Sequence, residues 1–484
     1  MAQFKNTLTD ASLYRRCYII CLFVCNITPV IVFAYAALAL LFLWGVFLVV
    51  YREITCHTAL KTRYGLWLML FLFAGVLTAL LHLSPNILYN LHNLIMLFHT
   101  AICFFIFYGV HTEKHLNFRR ELYGICSFIV YTSTTLGIIG LACLMADIRF
   151  EILGLKFIVY ENRFTGLFCN PNQLGFAAVA AIVCSHMLLK KDFIAISGRE
   201  RVSTIWIASS VAVNGISLLL CDSNGAMVLM IGYAIFFLIY KMFGSERRFS
   251  VRQVVTKSVS CVLAGAVIVG ALFFVRDIMQ DGFVRLMKGT EPIMVIEGDL
   301  NIAEEGIITF EHENKNIDSG RFKLWSQGCE MFLGNPVMGI GKGNIYDTGK
   351  RLFEKGIKFS DKYGMLAPLM TDFHNGYLTI LVCSGAVGFV LFMIFGLKLF
   401  KHTSQHVFRD DSLKESTFPC LYAFLCAYIV YAFVDEALLF NVSFMVLFFW
   451  LILGYASCFL MRYEPDHPLK RIRLLGLSLR RTIL

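Results

Sequence analysis

Apolar residues run through this chain in long blocks separated by short polar stretches. The blocks stand at about 30–50, 66–83, 92–110, 122–146, 174–189, 202–220, 225–240, 254–275, 375–397, 418–434 and 440–461. Each approaches the roughly 20 apolar residues that a membrane-crossing helix needs. A further apolar piece, Cys17 to Thr28, abuts the first block through Asn26-Ile27-Thr28-Pro29. The whole stretch from 17 to 50 is too long for one helix, and Pro29 interrupts any regular interior turn. The pattern therefore predicts two helices there and about twelve spans in all. The expected fold is an all-α polytopic membrane protein. It has about nine spans in residues 1–275, a long extracytoplasmic segment at 276–373, three last spans at 374–461 and a basic cytoplasmic tail at 462–484.

Composition agrees. Of 484 residues, 58% are hydrophobic and 16% charged, against about 25% charged in an average soluble domain, and the mean hydropathy is +0.68. A disordered or ordinary cytosolic protein is excluded. The net charge of +10 does not point to nucleic acid, because Lys and Arg accumulate in the cytoplasmic loops of polytopic proteins. With the N-terminus inside, 28 of the 43 Lys and Arg fall on inner segments, 3 in short outer loops and 12 in the long outer segment. Counting the acids too, the inner face is +16 and the outer face −6. An anionic substrate handled outside must therefore be held by particular cations rather than by a general field.

Residues 1–16 are polar and end in Arg15-Arg16. No cleavable signal is expected, and both termini are placed in the cytoplasm. Most of the 16 Cys lie within spans, as Cys17, Cys21 and Cys25 do, leaving mainly Cys169 and Cys329 outside, so a disulfide framework is not expected. The tail mixes Arg471, Arg473, Arg480 and Arg481 with Leu and Ile. It reads either as an interfacial segment on an anionic inner leaflet or as a solvated basic tail.

Three polar motifs rise above the hydropathy. The first, Arg163-Phe-Thr-Gly-Leu-Phe-Cys-Asn170-Pro171-Asn172, stands just before the span at 174 and offers an Arg and two Asn beside a helix N-terminus, where anions are favoured. The same residues also suit helix capping and interfacial snorkelling. The second is Asp318-Ser-Gly-Arg321-Phe-Lys-Leu-Trp325 followed by Gly334-Asn-Pro336-Val-Met-Gly339-Ile-Gly341-Lys-Gly343-Asn344. Phe322, Leu324, Trp325 and Met331 fit a short amphipathic helix on the membrane surface, with Arg321 at its start. The glycines fit a tight turn that brings backbone near the bilayer, since no strand precedes them and no Gly-Lys-Ser or Gly-Lys-Thr follows, as a nucleotide loop requires. The third is Thr371-Asp372-Phe373-His374-Asn375-Gly376-Tyr377, where the long segment re-enters the membrane. A His there is reachable from outside yet partly shielded, a suitable place for a proton acceptor or simply for a hydrogen-bonding polar residue.

Together these motifs resemble the O-antigen ligase and polymerase superfamily of bacterial envelopes. The ligase pattern Arg-x3-Leu is met by Arg163 and Leu167, and His-x10-Gly by His374 and Gly385. Gly320 to Asn344 resembles the family's block of Arg then Trp, Asn-Pro and Gly-x-Gly-x-Gly. The chain departs from many relatives in reading Asp222-Ser223-Asn224-Gly225 where they carry Ser-Arg-Gly after the seventh span. A cationic contact is there missing or replaced. The resemblance implies a membrane glycosyltransferase of the bacterial cytoplasmic membrane. It would move a glycan from a polyprenyl (undecaprenyl) diphosphate carrier to an acceptor sugar hydroxyl, on a growing glycan or a lipid-anchored acceptor, at the outer face. It also implies His374 as catalytic base, Arg163 and Arg321 as diphosphate ligands, no cofactor and a metal-free route. Asn170, Asn172, Asp372 and Trp325 are possible supporting residues.

Physical requirements match those roles: guanidinium forks bind phosphate oxygens in pairs, and a positioned base assists attack by a hydroxyl. Glu304-Glu305, Asp435-Glu436 and Asp372 offer alternative Mg2+ ligands, and His111 with His115 has the spacing of a metal pair. A transporter or flippase of lipid-linked glycans is the competing class. Ionisable residues deep in spans mark such proteins, whereas the spans here hold mainly His82, His99 and His186, which fit packing or bonding to neighbouring helices.

Overall fold

A computed structural model describes residues 6–113, 116–152, 155–198, 201–244, 250–287, 293–296, 299–302, 310, 320–353, 371–407 and 411–461. The basic tail at 462–484, His115 and Glu304-Glu305 lie outside the described residues. Helices occupy every apolar block of the sequence: α1 (Ala11–Val24), α2 (Ile31–Cys56), α3 (Gly65–Leu81), α4 (Ile87–Ile102), α5 (Phe118–Met145), α6 (Pro171–Leu188), α7 (Thr204–Leu220), α8 (Asn224–Phe243) and α9 (Val251–Met287). Two short helices, α10 (Arg321–Gly334) and α11 (Ile345–Leu352), precede α12 (Gly376–Val407), α13 (Phe418–Tyr431) and α14 (Phe444–Leu460).

Among the described residues seven helices are long and apolar enough to cross a membrane, and α3, α7, α13 and α14 are shorter apolar helices. Pro29 does divide α1 from α2, through a short 3-10 turn at Thr28–Val30. The helix expected at 254–275 continues through Met287. The helix of α4 runs on through one wider turn at Cys103–Phe107.

The expectation of an all-α chain missed a five-stranded sheet ordered β3-β2-β1-β4-β5. Strands β1 (Ile148–Ile152), β2 (Leu155–Tyr160) and β3 (Arg163–Gly166) form a meander between α5 and α6. Strands β4 (Ile293–Ile296) and β5 (Asp299–Ile302) add a hairpin from the long segment, with β4 parallel to β1. These strands are four to six residues long, shorter than the apolar blocks and thus invisible to a search at helix length. The sheet places Arg163 at the start of β3.

The bundle is organised around α6 and α14, which bury nearly all their residues. Phe176 of α6 meets Phe444, Phe448, Tyr428 and Tyr431. At the other extreme, α2 and α9 present Phe33, Leu40, Val262 and Leu263 outward, the arrangement of helices whose outer faces meet hydrocarbon rather than protein. All 16 cysteines are free thiols.

One irregularity organises the site. Helix α12 is broken at Gly385, whose φ of 63° is non-helical, and the segment Pro336–Gly341 lies against the break. Ile340 and Gly341 donate from their backbone nitrogens to the carbonyls of Val382 and Cys383, both at 3.0 Å, while Ala386 and Val387 donate back to Pro336 and Val337 at 2.8 and 3.1 Å. The freed peptide groups of the broken helix are thereby satisfied, as burial demands. Glycine is required on both sides, because a Cβ on Gly385 would stand 2.3 Å from the Val337 oxygen and one on Gly339 would stand 2.5 Å from the Gly385 nitrogen. The glycine-rich run is thus a strap laid into a broken helix.

Candidate functional site

Arg163 is half-buried and aimed by two acceptors. Its Nε donates to the Cys221 carbonyl at 3.1 Å and its Nη2 to Asn172 Oδ1 at 3.2 Å. Ser223 Oγ donates to the same Asn172 oxygen at 2.9 Å, so the turn between α7 and α8 and the start of α6 hold the guanidinium together. Asn172 positions the Arg. Asn170 instead caps α6, accepting from the Gln173 nitrogen at 2.9 Å, as its residue type favours. Burial lowers the Arg163 pKa from its usual value, against the pull of Asp222. At the Asp222-Ser223-Asn224-Gly225 turn a cation arrives from another element: Arg276 of α9 pairs with Asp222 at 3.4 Å.

His374 sits at the mouth of α12 with a φ of 47°, a conformation disfavoured for a non-glycine residue. It is over-determined by its neighbours. Asp372 Oδ1 accepts the His374 backbone N–H at 3.0 Å and lies 3.4 Å from Nδ1. Trp325 Nε1 donates to the Phe373 carbonyl at 3.1 Å, Asn375 caps α12, and the Gly376 nitrogen donates to the carbonyls of Ala432 and Asp435 at 2.8 and 2.9 Å. That last contact brings in a loop between α13 and α14, where Asp435 Oδ1 approaches His374 Nδ1 at 4.0 Å. Tyr431 donates to the other Asp435 oxygen at 2.5 Å. Burial alone would lower the imidazole pKa, but Asp372 and then Asp435 outweigh it and push it up to about 9. Burial would likewise raise the Asp435 carboxyl, and its bond with His374 instead holds it below the usual range.

Arg321 joins the two halves. It begins α10, and its charge acts on Arg163 on one side and on His374 and Asp435 on the other. Its Nε is buried and meets no hydrogen-bond partner among the described residues, a donor left to a group from outside the chain. Helix α10 seats Leu324, Gln327, Gly328 and Met331, and Gly328 lets it lie against Leu378 of α12. Phe322 is exposed and meets Trp325 edge to face.

Three guanidinium and imidazole side chains distant in sequence thus share one end of the bundle. Residues 207–393 match the family model described as O-antigen ligase. That match covers less than half of the chain and supports its resemblance to the O-antigen ligase and polymerase superfamily. No curated protein matches it. The match takes in Arg321 and His374, the glycine strap and Gly385, while Arg163 lies before it.

Sequence reasoning missed Lys342 and read Asp435-Glu436 only as candidate metal ligands. Lys342, buried within the strap, donates to Glu436 Oε1 at 2.5 Å and to the Thr371 carbonyl at 2.8 Å. Burial works against the ammonium, and Glu436 outweighs it, raising the Lys342 pKa, while burial pushes the Glu436 carboxyl up to about 8 against the pull of Lys342. A lysine amid glycines and two adjacent acids between apolar blocks were the available signals. No group of three or more His, Cys, Asp or Glu is arranged to hold a metal among the described residues. His111 spends both ring nitrogens on the Tyr108 carbonyl and the Arg63 N–H. His99 and His186 bond Tyr18 and Tyr233 of neighbouring helices.

Proposed function

We propose that this protein transfers a glycan from a polyprenyl diphosphate carrier to an acceptor sugar hydroxyl at the outer face of the bacterial cytoplasmic membrane, as a polysaccharide polymerase or an O-antigen ligase. The family match supports glycosyl transfer of this general kind; the carrier, the face and the residue roles are our reading. The observation that carries it is the unpartnered, buried Nε of Arg321 between Arg163 and the His374–Asp435 pair. A fork of cations beside a base is what a diphosphate leaving group and a hydroxyl nucleophile require.

In the step, the acceptor oxygen bonds to the anomeric carbon as the bond from that carbon to the diphosphate oxygen breaks. The electron pair stays with the diphosphate, which Arg163 and Arg321 hold, each charged hydrogen bond contributing roughly 1.5–3 kcal/mol. The acceptor proton passes to His374, with Asp372 and Asp435 stabilising the imidazolium. Since those carboxylates hold the imidazole pKa at about 9, the resting ring is mostly protonated at neutral pH. That observation also favours a second reading, in which the imidazolium donates to the diphosphate. The charge supplied by arginine leaves metal dispensable, and treatment with chelator is expected to leave the rate unchanged.

The test is transfer by the purified protein in lipid vesicles supplied with carrier-linked glycan. His374→Ala is expected to abolish product while the lipid-linked donor accumulates; full transfer by that variant would remove His374 from the reaction. In cells lacking the protein, accumulated single repeat units would mark a polymerase and accumulated full chains a ligase.

A further inference from the structure

We propose that Lys342 and Glu436 are positioning residues for His374, their buried ion pair tying the glycine strap and the 371–375 segment to the loop that carries Asp435. The inference rests on the functional reading above for its consequence in catalysis, but its geometry stands alone. Three separate pieces of chain meet at this pair. Lys342 lies in the strap, whose neighbours are fixed on α4 and on the end of α3: Gly343 donates to Asn93 Oδ1 at 2.7 Å and Asn344 Nδ2 to the carbonyl of His82, which follows α3, at 2.9 Å. From that anchored place the ammonium reaches Thr371 O, one residue before Asp372, and Glu436 Oε1, one residue after Asp435. The two carboxylates that face the imidazole are therefore each one residue from a contact of the same nitrogen.

The pair is sealed, with side chains 4% and 1% exposed, so neither charge meets the solvent that a surface bridge would share. Both bonds of the Lys342 ammonium go to the protein itself, whereas Arg321 keeps a buried Nε with no partner among the described residues. The two Lys342 bonds fix the separation between the 371–375 segment and the 432–443 loop, and that separation sets whether His374 Nδ1 meets both Asp372 and Asp435. A displacement of about 1 Å in such a frame is enough to lower a rate by roughly a hundredfold. The charged groups that face His374 are Asp372, Asp435, Glu436 and Arg321, with Tyr431 behind Asp435.

The experiment compares wild type with Glu436→Gln, Lys342→Met and the double variant Lys342→Met/Glu436→Leu in vesicles. It reads transfer kinetics, thermal unfolding, and the pH dependence of His374 carbethoxylation by diethyl pyrocarbonate, followed by peptide mass spectrometry. Both single variants are expected to lower kcat about 10- to 100-fold with KM within about twofold, because the arginines are untouched. In Glu436→Gln the loss of one negative charge near the ring is expected to move the midpoint of His374 modification down by about half a unit or more. The double variant removes both charges and is expected to unfold like wild type while kcat stays low.

Wild-type kcat in the double variant would show that the pair only avoids an unpaired buried charge and would overturn the proposal. So would unchanged kcat in both single variants, or an unmoved His374 midpoint. Absence of glycan transfer by every form, with a His374 midpoint that still depends on Glu436, would overturn the functional reading and support the tie itself.

Discussion

At the scale of single residues, the site is a matter of which groups face the imidazole. Two carboxylates outweigh burial and leave His374 near pKa 9. A base must be neutral to accept a proton, so the active fraction grows as pH rises and saturates above that value. The expected outcome is a kcat that increases about tenfold per unit between pH 7 and pH 8.5, measured on vesicle-reconstituted protein; a fall across the same range would assign the imidazolium the role of donor to the diphosphate. Arg163 depends on shape as well as charge, because its Nε and Nη2 are both spent on positioning bonds. Lysine keeps the charge and loses the fork. Arg163→Lys is expected to lower transfer about 10- to 100-fold, on the scale of one or two charged hydrogen bonds, with normal membrane expression; full polysaccharide output would remove Arg163 from the site.

At the scale of elements, the decisive unit is the pairing of the glycine strap with the broken helix α12. Its hydrogen bonds run between 336–341 and 382–387, so the strap does the work that continuing helix would do. An alanine at Gly385 meets both a left-handed φ and backbone 2.3 Å away. Gly385→Ala is expected to destabilise the protein by roughly 1–3 kcal/mol or more, read as a lowered unfolding temperature in detergent. Gly396→Ala, eleven residues on in the same helix and with nothing within 4 Å of its added Cβ, is the control, expected to gain roughly 0.5–1 kcal/mol from helix propensity. Equal effects at the two positions would contradict the strap. The spacing His374 to Gly385 thus acquires a mechanical meaning: the His stands at the head of α12 and the glycine is where the strap that bears Lys342 docks.

At the scale of the whole molecule, the two ends of the bundle are built differently. The end with His374 holds Arg321 with a buried Nε that has no partner among the described residues, whereas the end with the start of α1 closes a charge network on itself. Arg15, fully buried, donates to Glu113 at 2.6 Å and to Glu121 at 2.7 Å, and Arg52 also pairs with Glu113. Breaking such a buried network leaves uncompensated carboxylates, which costs about 3–5 kcal/mol. Arg15→Ala is therefore expected to lower the unfolding temperature strongly. Activity per folded molecule should stay near wild type, because the network is at the opposite end from His374. Loss of specific activity without loss of stability would contradict that separation.

The sequence by itself determined the helices and the candidate groups. Apolar blocks of span length have one stable arrangement in hydrocarbon, where each peptide must be satisfied within its own segment, so hydropathy located α1 to α9 and α12 to α14, the amphipathic spacing from Phe322 to Met331 located α10, and Pro29 located the first break. The Arg, His and Gly motifs were legible because their residue types carry specific chemistry. What only the tertiary structure decided is convergence and partnership: that Arg163, Arg321 and His374 share one end, that Asp435 faces His374, that Lys342 meets Glu436, and that Asn170 is a cap while Asn172 aims an arginine. Apart from the two asparagine roles, which are local, those facts join positions tens to hundreds of residues apart, set by helix packing that no local pattern encodes. The strands were missed for the same reason, since β4 finds β1 across more than a hundred residues and each is stable only when paired.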